Sequence, residues 1–481
     1  MKSQSDGSTC RRQISPVDTS NLNEQQMNAY HLVSSHYTSS DQHPLHMLIL
    51  GTAGTGKSFL IQALAQLLQH KCLLTATTGI AVFHIGGITL HSTLHLPVQK
   101  HSCNDLTGQA LAKLQHKIMD IRYLIVDEVS MLGQNMMAWV DKRLRQATTH
   151  LDIPFGGMSV ILIGDFAQLP PVGDRPLFAP ETAGSHGHTM YSLFTNVVIL
   201  DQIIRQSGTS TEDRHFRDIL LRLRNGQSTE DDWTTLFKHT PTTANNAIEF
   251  TDALHLFYKK EHVAKYNHEV ITKLGSPIAR INAINSCTAA ASAKSDDAGG
   301  LQKVILMAKG AKVMLTSNLW QQVGLCNGIT GKVDNILYAE GHKPPNLPIA
   351  ILVNFPDYTG PPFMPNKPQC IPIPPIVFEW HNGLTSLSRQ QLPLRLSYAV
   401  TIHKSQGQTM TKAVIDIGDK ERAAGCTFVA LSRLKTLSGL LIQPMPFEHL
   451  KSIGYLKRMQ QRIKEERLHL ATSTLSTSLH D

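Results

Sequence analysis

No two cysteines in this chain stand at the C-x-x-C spacing of a metal or redox site. The seven that occur (Cys10, Cys72, Cys103, Cys287, Cys326, Cys370 and Cys426) are odd in number and scattered. That pattern argues against a disulfide framework or a zinc site and fits a reducing compartment. Histidine is plentiful, with 24 residues. Around His84, His91 and His95, however, no cysteine or carboxylate completes a ligand set, so these are read as surface or phosphate-contacting groups. No apolar run reaches the length that spans a bilayer. The first residues, "MKSQSDGSTCRRQISPVDTS", have no apolar h-region, and Asp6 and Asp18 are out of place in a transit peptide. A flexible tail is expected over residues 1–20.

What is present describes a folded, soluble protein: 41% hydrophobic and 17% charged residues. At 481 residues the chain exceeds what one hydrophobic core serves, so two or more domains are expected. A formal net charge of +8 favours a polyanionic partner. From Leu22 to Leu200, apolar strands alternate with helical stretches, the mark of an α/β fold with a parallel sheet. "HMLILGTAGTGKSFLIQALAQLLQ" reads as strand, glycine-rich loop and amphipathic helix. "KCLLTATT", "RYLIVDE" and "SVILIGD" are further buried strands with polar ends, which belong at the carboxyl edge where such sheets bind ligands. A second α/β unit is expected from Asp201, with "DRHFRDILLRLRNG", "ALHLFY", "AVIDIG" and "CTFVALSRL". Between Pro344 and Pro375 lie 11 of the chain's 24 prolines, a density that excludes helix and central strand. A small β-rich insertion over 321–395 follows, and "YLKRMQQRIKEERL" forms a basic helix before a Ser/Thr tail.

"GTAGTGKS" fits G-x-x-x-x-G-K-[ST] between a strand and a helix. Gly51, Thr52, Ala53, Gly54, Thr55 and Gly56 turn backbone N–H groups toward phosphates, with the helix dipole behind them. Lys57 adds a point charge and Ser58 a hydroxyl for Mg²⁺. This implies a nucleoside triphosphate and explains the carboxylates ending "LIVDE". Asp127 is expected to hold the ion, and Glu128 to deprotonate the attacking water. Gln168, in "GDFAQLPPV", would bond the γ-phosphate and that water. Arg205 in "LDQIIRQ" and Arg433 in "VALSRL" become arginine fingers if both α/β units face one nucleotide.

The motif series resembles the PIF (petite integration frequency) family of superfamily 1 DNA helicases, from Leu22 to about Phe447. "LNEQQ" matches the family's adenine-reading motif, placing Gln26 on the base. "TATTGIAVFHIGGITLHS" matches its single-strand-contacting segment, and "VDEVSMLGQNMMAWVDKRLRQ" its acidic motif and following helix. "GDFAQLPPV", "LDQIIRQ", "GAKVMLTSNLWQQVGLCNGITGKV", "AVTIHKSQGQTM" and "FVALSRLKTLSGL" follow in family order, and Gly407 joins the nucleotide contacts. Ala167 stands where relatives often carry a large hydrophobic, and "PIARINAINSCTAAASAKSDDAGG" is only loosely similar. The resemblance implies two RecA-like motor domains, at 21–200 and at 201–320 with 396–450. It also implies a short wedge near 95–118, an SH3-like character for the β insertion, and 5′→3′ translocation.

A sequence-independent DNA track is read from hydroxyls, histidines and helix starts, which bind phosphate without reading bases. Its candidates are Thr77, Thr78, Thr89, His91 and Ser92, then Thr401, His403, Lys404, Ser405 and Thr409. Phe83, Phe166 and Trp320 could stack on bases, although core packing is the better reading for each. Leu132, Met136, Val140 and Leu144 form a helix packing face. The expectation is therefore an ATP- and Mg²⁺-dependent 5′→3′ DNA helicase acting on single-stranded and forked DNA, with quadruplexes as a further candidate substrate. It would be monomeric, away from membranes, and in the nucleus ahead of the mitochondrion, serving recombination, repair or telomere maintenance. A nucleic-acid-binding scaffold without ATPase activity, or a mobile-element helicase, are the alternatives.

Overall fold

A computed structural model describes residues 17–40, 43–97, 103–180, 184–204, 210–243, 247–382 and 385–477. By packing, the chain divides into Asp252–Lys404 and a larger unit, Gln13–Thr251 with Ser405–Asp481.

The larger unit opens with α1 (Glu24–Thr38), β1 (His46–Gly51), α2 (Lys57–Leu68), β2 (Cys72–Ala76), α3 (Gly79–Ile85), β3 (Ile88–Thr89) and α4 (Leu90–Leu94). Then come α5 (Gly108–Ile118), β4 (Tyr123–Asp127), α6 (Gln134–Thr148), β5 (Ser159–Gly164), α7 (His186–Tyr191), β6 (Asn196–Leu200), α8 (Thr211–Arg224) and α9 (Glu230–Phe237). The strands form a six-stranded sheet in the order β3-β2-β4-β5-β1-β6, parallel throughout, with Leu48 level with Leu162 on one side and Val197 on the other. Side chains alternate between faces, yet the strands read as unbroken apolar runs because both faces are covered. Leu48, Leu50, Leu124, Val126, Val160 and Leu162 enter one core. Met47, Ile49, Tyr123, Ile125, Ile161 and Ile163 enter the other.

In the smaller unit, β7 (Leu254–Phe257) and β18 (Ala399–Thr401) pair in parallel, with α10 (Lys260–Thr272) between them in sequence. The rest is antiparallel: β8 (Ala279–Asn282) with β10 (Val304–Met307), and β9 (Ile284–Asn285) beside a hairpin of β15 (Ile376–Asn382) and β16 (Thr385–Gln391). A short α11 (Thr288–Ser292) lies between β9 and β10. β11 (Lys312–Leu315), β12 (Thr330–Leu337), β13 (Ala350–Asn354), β14 (Cys370–Ile373) and β17 (Leu394–Leu396) make a five-stranded sheet ordered β14-β13-β12-β11-β17. Of the prolines from 344 to 375, Pro372 alone lies in a strand, and β14 is an edge, where a missing N–H is tolerated. The larger unit resumes with β19 (Ala413–Asp416), α12 (Cys426–Leu431), β20 (Leu440–Ile442), α13 (Phe447–Ile453) and α14 (Lys457–Thr477), β19 pairing in parallel with β20.

Several expectations can be set beside the described residues. Antiparallel strands also occur beyond 321–395: β9 and β11 precede that range, and β17 runs one residue past its end. Packing does not change at Asp201: α8 buries Phe216, Ile219, Leu220 and Leu223, and its Arg224 bonds Asp165 beyond β5. Within the expected tail, Val17 is buried, with its N–H donated to Gln66 Oε1 at 2.8 Å. The expected wedge is described only at 95–97 and 103–118; α5 forms its far end. On α6, Val140 and Leu144 are buried and Met136 partly so, as a packing face requires, with Leu132 buried just ahead of the helix. Phe166 is core, packed edge-on to Phe178 and Tyr191.

Candidate nucleotide-binding site

Because the six strands are parallel, their carboxyl ends share one edge, and four of the expected motifs leave the sheet there. β1 runs into Gly51–Ser58, β2 into Thr77 and Thr78, β4 ends at Asp127, and β5 runs into Asp165–Gln168. A cavity of about 280 Å³ opens at this edge, lined by Ala53, Gly54, Gly56, Lys57, Ser58, Ala81, His84, Asp127, Glu128, Gln168, Ile204, Gly407 and Arg433. Every one of these belongs to the larger unit.

Gly56 caps α2 at φ +78°, a left-handed conformation that favours glycine, and a Cβ there would meet Gln26 Nε2. Lys57 Nζ donates to the carbonyls of Gly51 and Thr52, both at 2.8 Å. Gln26 is fully buried behind the loop: Oε1 accepts from Asn23 N–H at 3.0 Å, and Nε2 donates to Thr55 O at 3.0 Å. It therefore grips the loop backbone. A direct adenine contact would require the amide to give up that bond. Gln26→Ala strands a buried donor and a buried acceptor, so it is expected to lower the free energy of unfolding by about 1–3 kcal/mol, measured by urea denaturation.

Asp127 and Glu128 are both buried. Glu128 is left-handed (φ 58°, ψ 49°), which kinks the chain as it leaves β4, and its N–H donates to Asp127 Oδ1 at 2.8 Å. Thr77 Oγ1 donates to Glu128 O at 3.1 Å. Burial, and then the neighbouring Glu128 charge, push the Asp127 carboxyl up to about 7. The Glu128 side chain accepts from Gln406 Nε2 at 3.2 Å, and Gln406 also reaches Ser130 Oγ at 3.3 Å. Gln406 was not singled out from sequence, although it adjoins Gly407. Ala81 and Ile204 also went unnoticed as lining residues, whereas His84 was read as a surface or phosphate-contacting group; Ile204 is brought in by its N–H donating to Gly54 O at 2.7 Å.

The Gln168 side chain is buried with Oε1 unpaired among the described residues. Its loop is tied by Gln168 N–H to Asp165 O (3.0 Å) and by Ala167 N–H to Asp165 Oδ1 (3.0 Å). Burial alone would raise Asp165, but Arg224 and then Lys57 hold its carboxyl below the ordinary value. Arg433 is 2% exposed, donating from Nε to Val429 O (2.9 Å), from Nη1 to Gln408 O (3.3 Å) and from Nη2 to Ser432 Oγ (3.1 Å). Arg205 lies outside the described residues.

Of the expected DNA contacts in the larger unit, Thr78 caps α3 and Thr89 caps α4 through Ser92. Ser92 is exposed and His91 partly buried, burial holding the imidazole below its usual pKa. Ser405 is fully buried and presents no hydroxyl to solvent in this conformation. In the smaller unit, burial and then Arg395 push Lys404 down to about 8, with Asp296 opposing and Lys260 adding to the depression. Lys404 Nζ donates to Asn327 Oδ1 at 3.3 Å, and burial followed by Lys260 lowers His403.

Residues 21–234 match the model of the PIF1-like helicase family. The ATP-dependent DNA helicase PIF1 of Xenopus laevis is 31% identical over 434 residues, covering 89% of this chain and 63% of that protein, so the chain spans less than two thirds of that relative. Among solved structures, one of two coordinating Pif1 helicases unwinding forked duplex DNA superposes with a TM-score of 0.68 at 26% identity, covering 89% of this chain and 94% of the other. The Pif1 helicase of Candida albicans superposes with a TM-score of 0.71 at 24% identity, covering 93% and 99%. The α/β architecture of those structures, with RecA-like parallel sheets, is thus the fold of this chain.

Proposed function

We propose that this chain, whose residues 21–234 match the model of the PIF1-like helicase family, is an ATP-dependent DNA helicase that cleaves ATP in the cavity beneath Gly51–Ser58. One observation carries this reading. Lys57, Ser58, Asp127, Glu128, Gln168 and Arg433 come from separate segments, and all line that cavity.

The loop N–H groups and the start of α2 hold the phosphates, and Lys57 trades the Gly51 and Thr52 carbonyls for β/γ oxygens. A hydroxyl and a carboxylate, Ser58 and Asp127, are the hard oxygen donors that Mg²⁺ takes, and a buried acid pushed up to about 7 fits a place where a cation is due. When bound, Mg²⁺ neutralises charge on the phosphate oxygens. Glu128, steadied by Gln406, takes the proton of the attacking water, and the unpaired Gln168 Oε1 orients that water. Arg433, with Arg205 as a second guanidinium, meets the charge that develops on the transferred phosphoryl group.

Lys404, crowded by Arg395 and Lys260, suits a phosphate of the strand, as do Thr401 and His403, with Thr77, Thr78, His91 and Ser92 supplying the other contacts. We assign single-stranded and forked DNA as partners and 5′→3′ as the direction, as well as a monomer in solution and roles in recombination, repair and telomere maintenance in nucleus or mitochondrion. Activity on quadruplexes belongs to the same reading. The motor boundaries proposed are 21–200 and 201–320 with 396–450.

Hydrolysis by wild type is expected to rise strongly with added single-stranded DNA, and Lys57→Ala to lose about 10²-fold or more of it. DNA-independent turnover, or an active Lys57→Ala, would overturn the reading. Duplexes with 5′ or 3′ overhangs then test direction, only the former being unwound.

A further inference from the structure

We propose that α14 is a working part of the nucleotide site: through Arg462 and Glu466 it holds Arg224 against Asp165, and so fixes the loop that presents Gln168. The inference rests on reading Gln168 as a hydrolytic residue.

The contacts run in a line of alternating charge. Arg224 Nη2 donates to Asp165 Oδ1 at 2.8 Å and to Glu466 Oε1 at 2.7 Å, while Nη1 donates to Glu466 Oε2 at 3.0 Å. Arg462 Nη1 donates to both Glu466 oxygens at 2.9 Å, and its Nη2 to Arg224 O at 2.7 Å. Asp165 is wholly buried, and Arg224 and Arg462 are nearly so. At that depth each charge depends on its neighbour, so removing one member disturbs the next. Asp165 in turn holds the Ala167 and Gln168 N–H groups. The loop is closed from another side by Gly425, where a Cβ would stand 2.4 Å from Ala167 O and 3.0 Å from Gln168 O. Gly425 is the N-cap of α12, the helix that leads to Arg433. The Gln168 loop thus lies between the start of α12 and the charge line from α14. Neutralising Glu466 leaves Arg224 and Arg462 facing each other, and repulsion then draws Arg224 off Asp165.

A control lies one residue away. Glu465 also docks α14, accepting from Tyr191 Oη at 2.9 Å and lying 3.2 Å from His469 Nε2, whereas the bonds to Arg224 are made by Glu466. In the full chain, Glu466→Gln is expected to lower DNA-stimulated kcat about tenfold with KM for ATP within about twofold. Amide hydrogen exchange over 164–170 should quicken about tenfold. Glu465→Gln should change neither, even where it lowers Tm. Should Glu466→Gln fail to fold, Glu466→Asp, which keeps the charge but shortens its reach, gives a smaller change of the same sign. Equal losses of kcat in the two variants, or unchanged protection of 164–170 in Glu466→Gln, would overturn the proposal. A wild type without turnover would instead sink the functional reading, while exchange still decides the positioning.

Discussion

Arg433→Ala is expected to cut DNA-stimulated kcat for ATP hydrolysis about 10³-fold or more, with nucleotide affinity changed only a few-fold. The size of the effect follows from preorganisation. The guanidinium is held by Val429 O, Gln408 O and Ser432 Oγ, so it meets developing charge without having to be oriented first. Ground-state phosphates are already held by loop N–H groups and Lys57, which is why affinity should barely move. Arg433→Lys should not rescue the rate, because an ammonium cannot keep three divergent bonds while also facing the phosphate. Since those bonds also steady the end of α12, Tm must be measured alongside. A kcat within tenfold of wild type at a lowered Tm would mean that Arg433 merely anchors its helix.

The part of this site that sequence made legible is the part built from parallel strands. A buried strand ending in polar residues announces where its end lies, and β1, β4 and β5 bring Lys57, Asp127 and Gln168 to one edge for that reason. Arg433 was legible only on the premise that both α/β units face one nucleotide. Residues that act through long-range pairing were not legible. Arg224 in "LLRLRNG" looks like any solvated helix arginine, yet its partners lie 59 and 242 residues away. The same holds for Arg389, fully buried in β16. It donates to Asn285 Oδ1 and to the carbonyls of Leu301, Ala290 and Ala293. That one side chain organises the stretch 285–301, whose own sequence carries neither periodicity nor a firm family pattern. Gln26 was expected on the adenine, but its amide donates to the backbone of Thr55, a use that no spacing reveals.

Asp127→Asn is expected to move stability and activity in opposite directions. In the unfolded chain this carboxyl ionises near 3.8; in the fold it is pushed up to about 7 by burial and by Glu128. A carboxyl raised in this way stabilises the fold fully below its unfolded pKa, and that contribution is lost as pH climbs through the folded one. The neutral amide carries no such loss. The variant should therefore gain on wild type between about pH 4 and pH 7, at roughly 1.4 kcal/mol per pH unit, and hold a constant lead above that. Thermal unfolding across pH, without nucleotide or metal, reads this directly. Added Mg²⁺ and a non-hydrolysable ATP analogue should reverse the ranking, because the wild-type carboxylate then gains a partner that the amide meets only weakly. Hydrolysis should fall about 10²-fold or more, the equivalent of several kcal/mol of lost charge stabilisation. A stability lead that is independent of pH would show that Asp127 is ionised in the unliganded fold, and the cation-hungry site inferred from its burial would have to be abandoned.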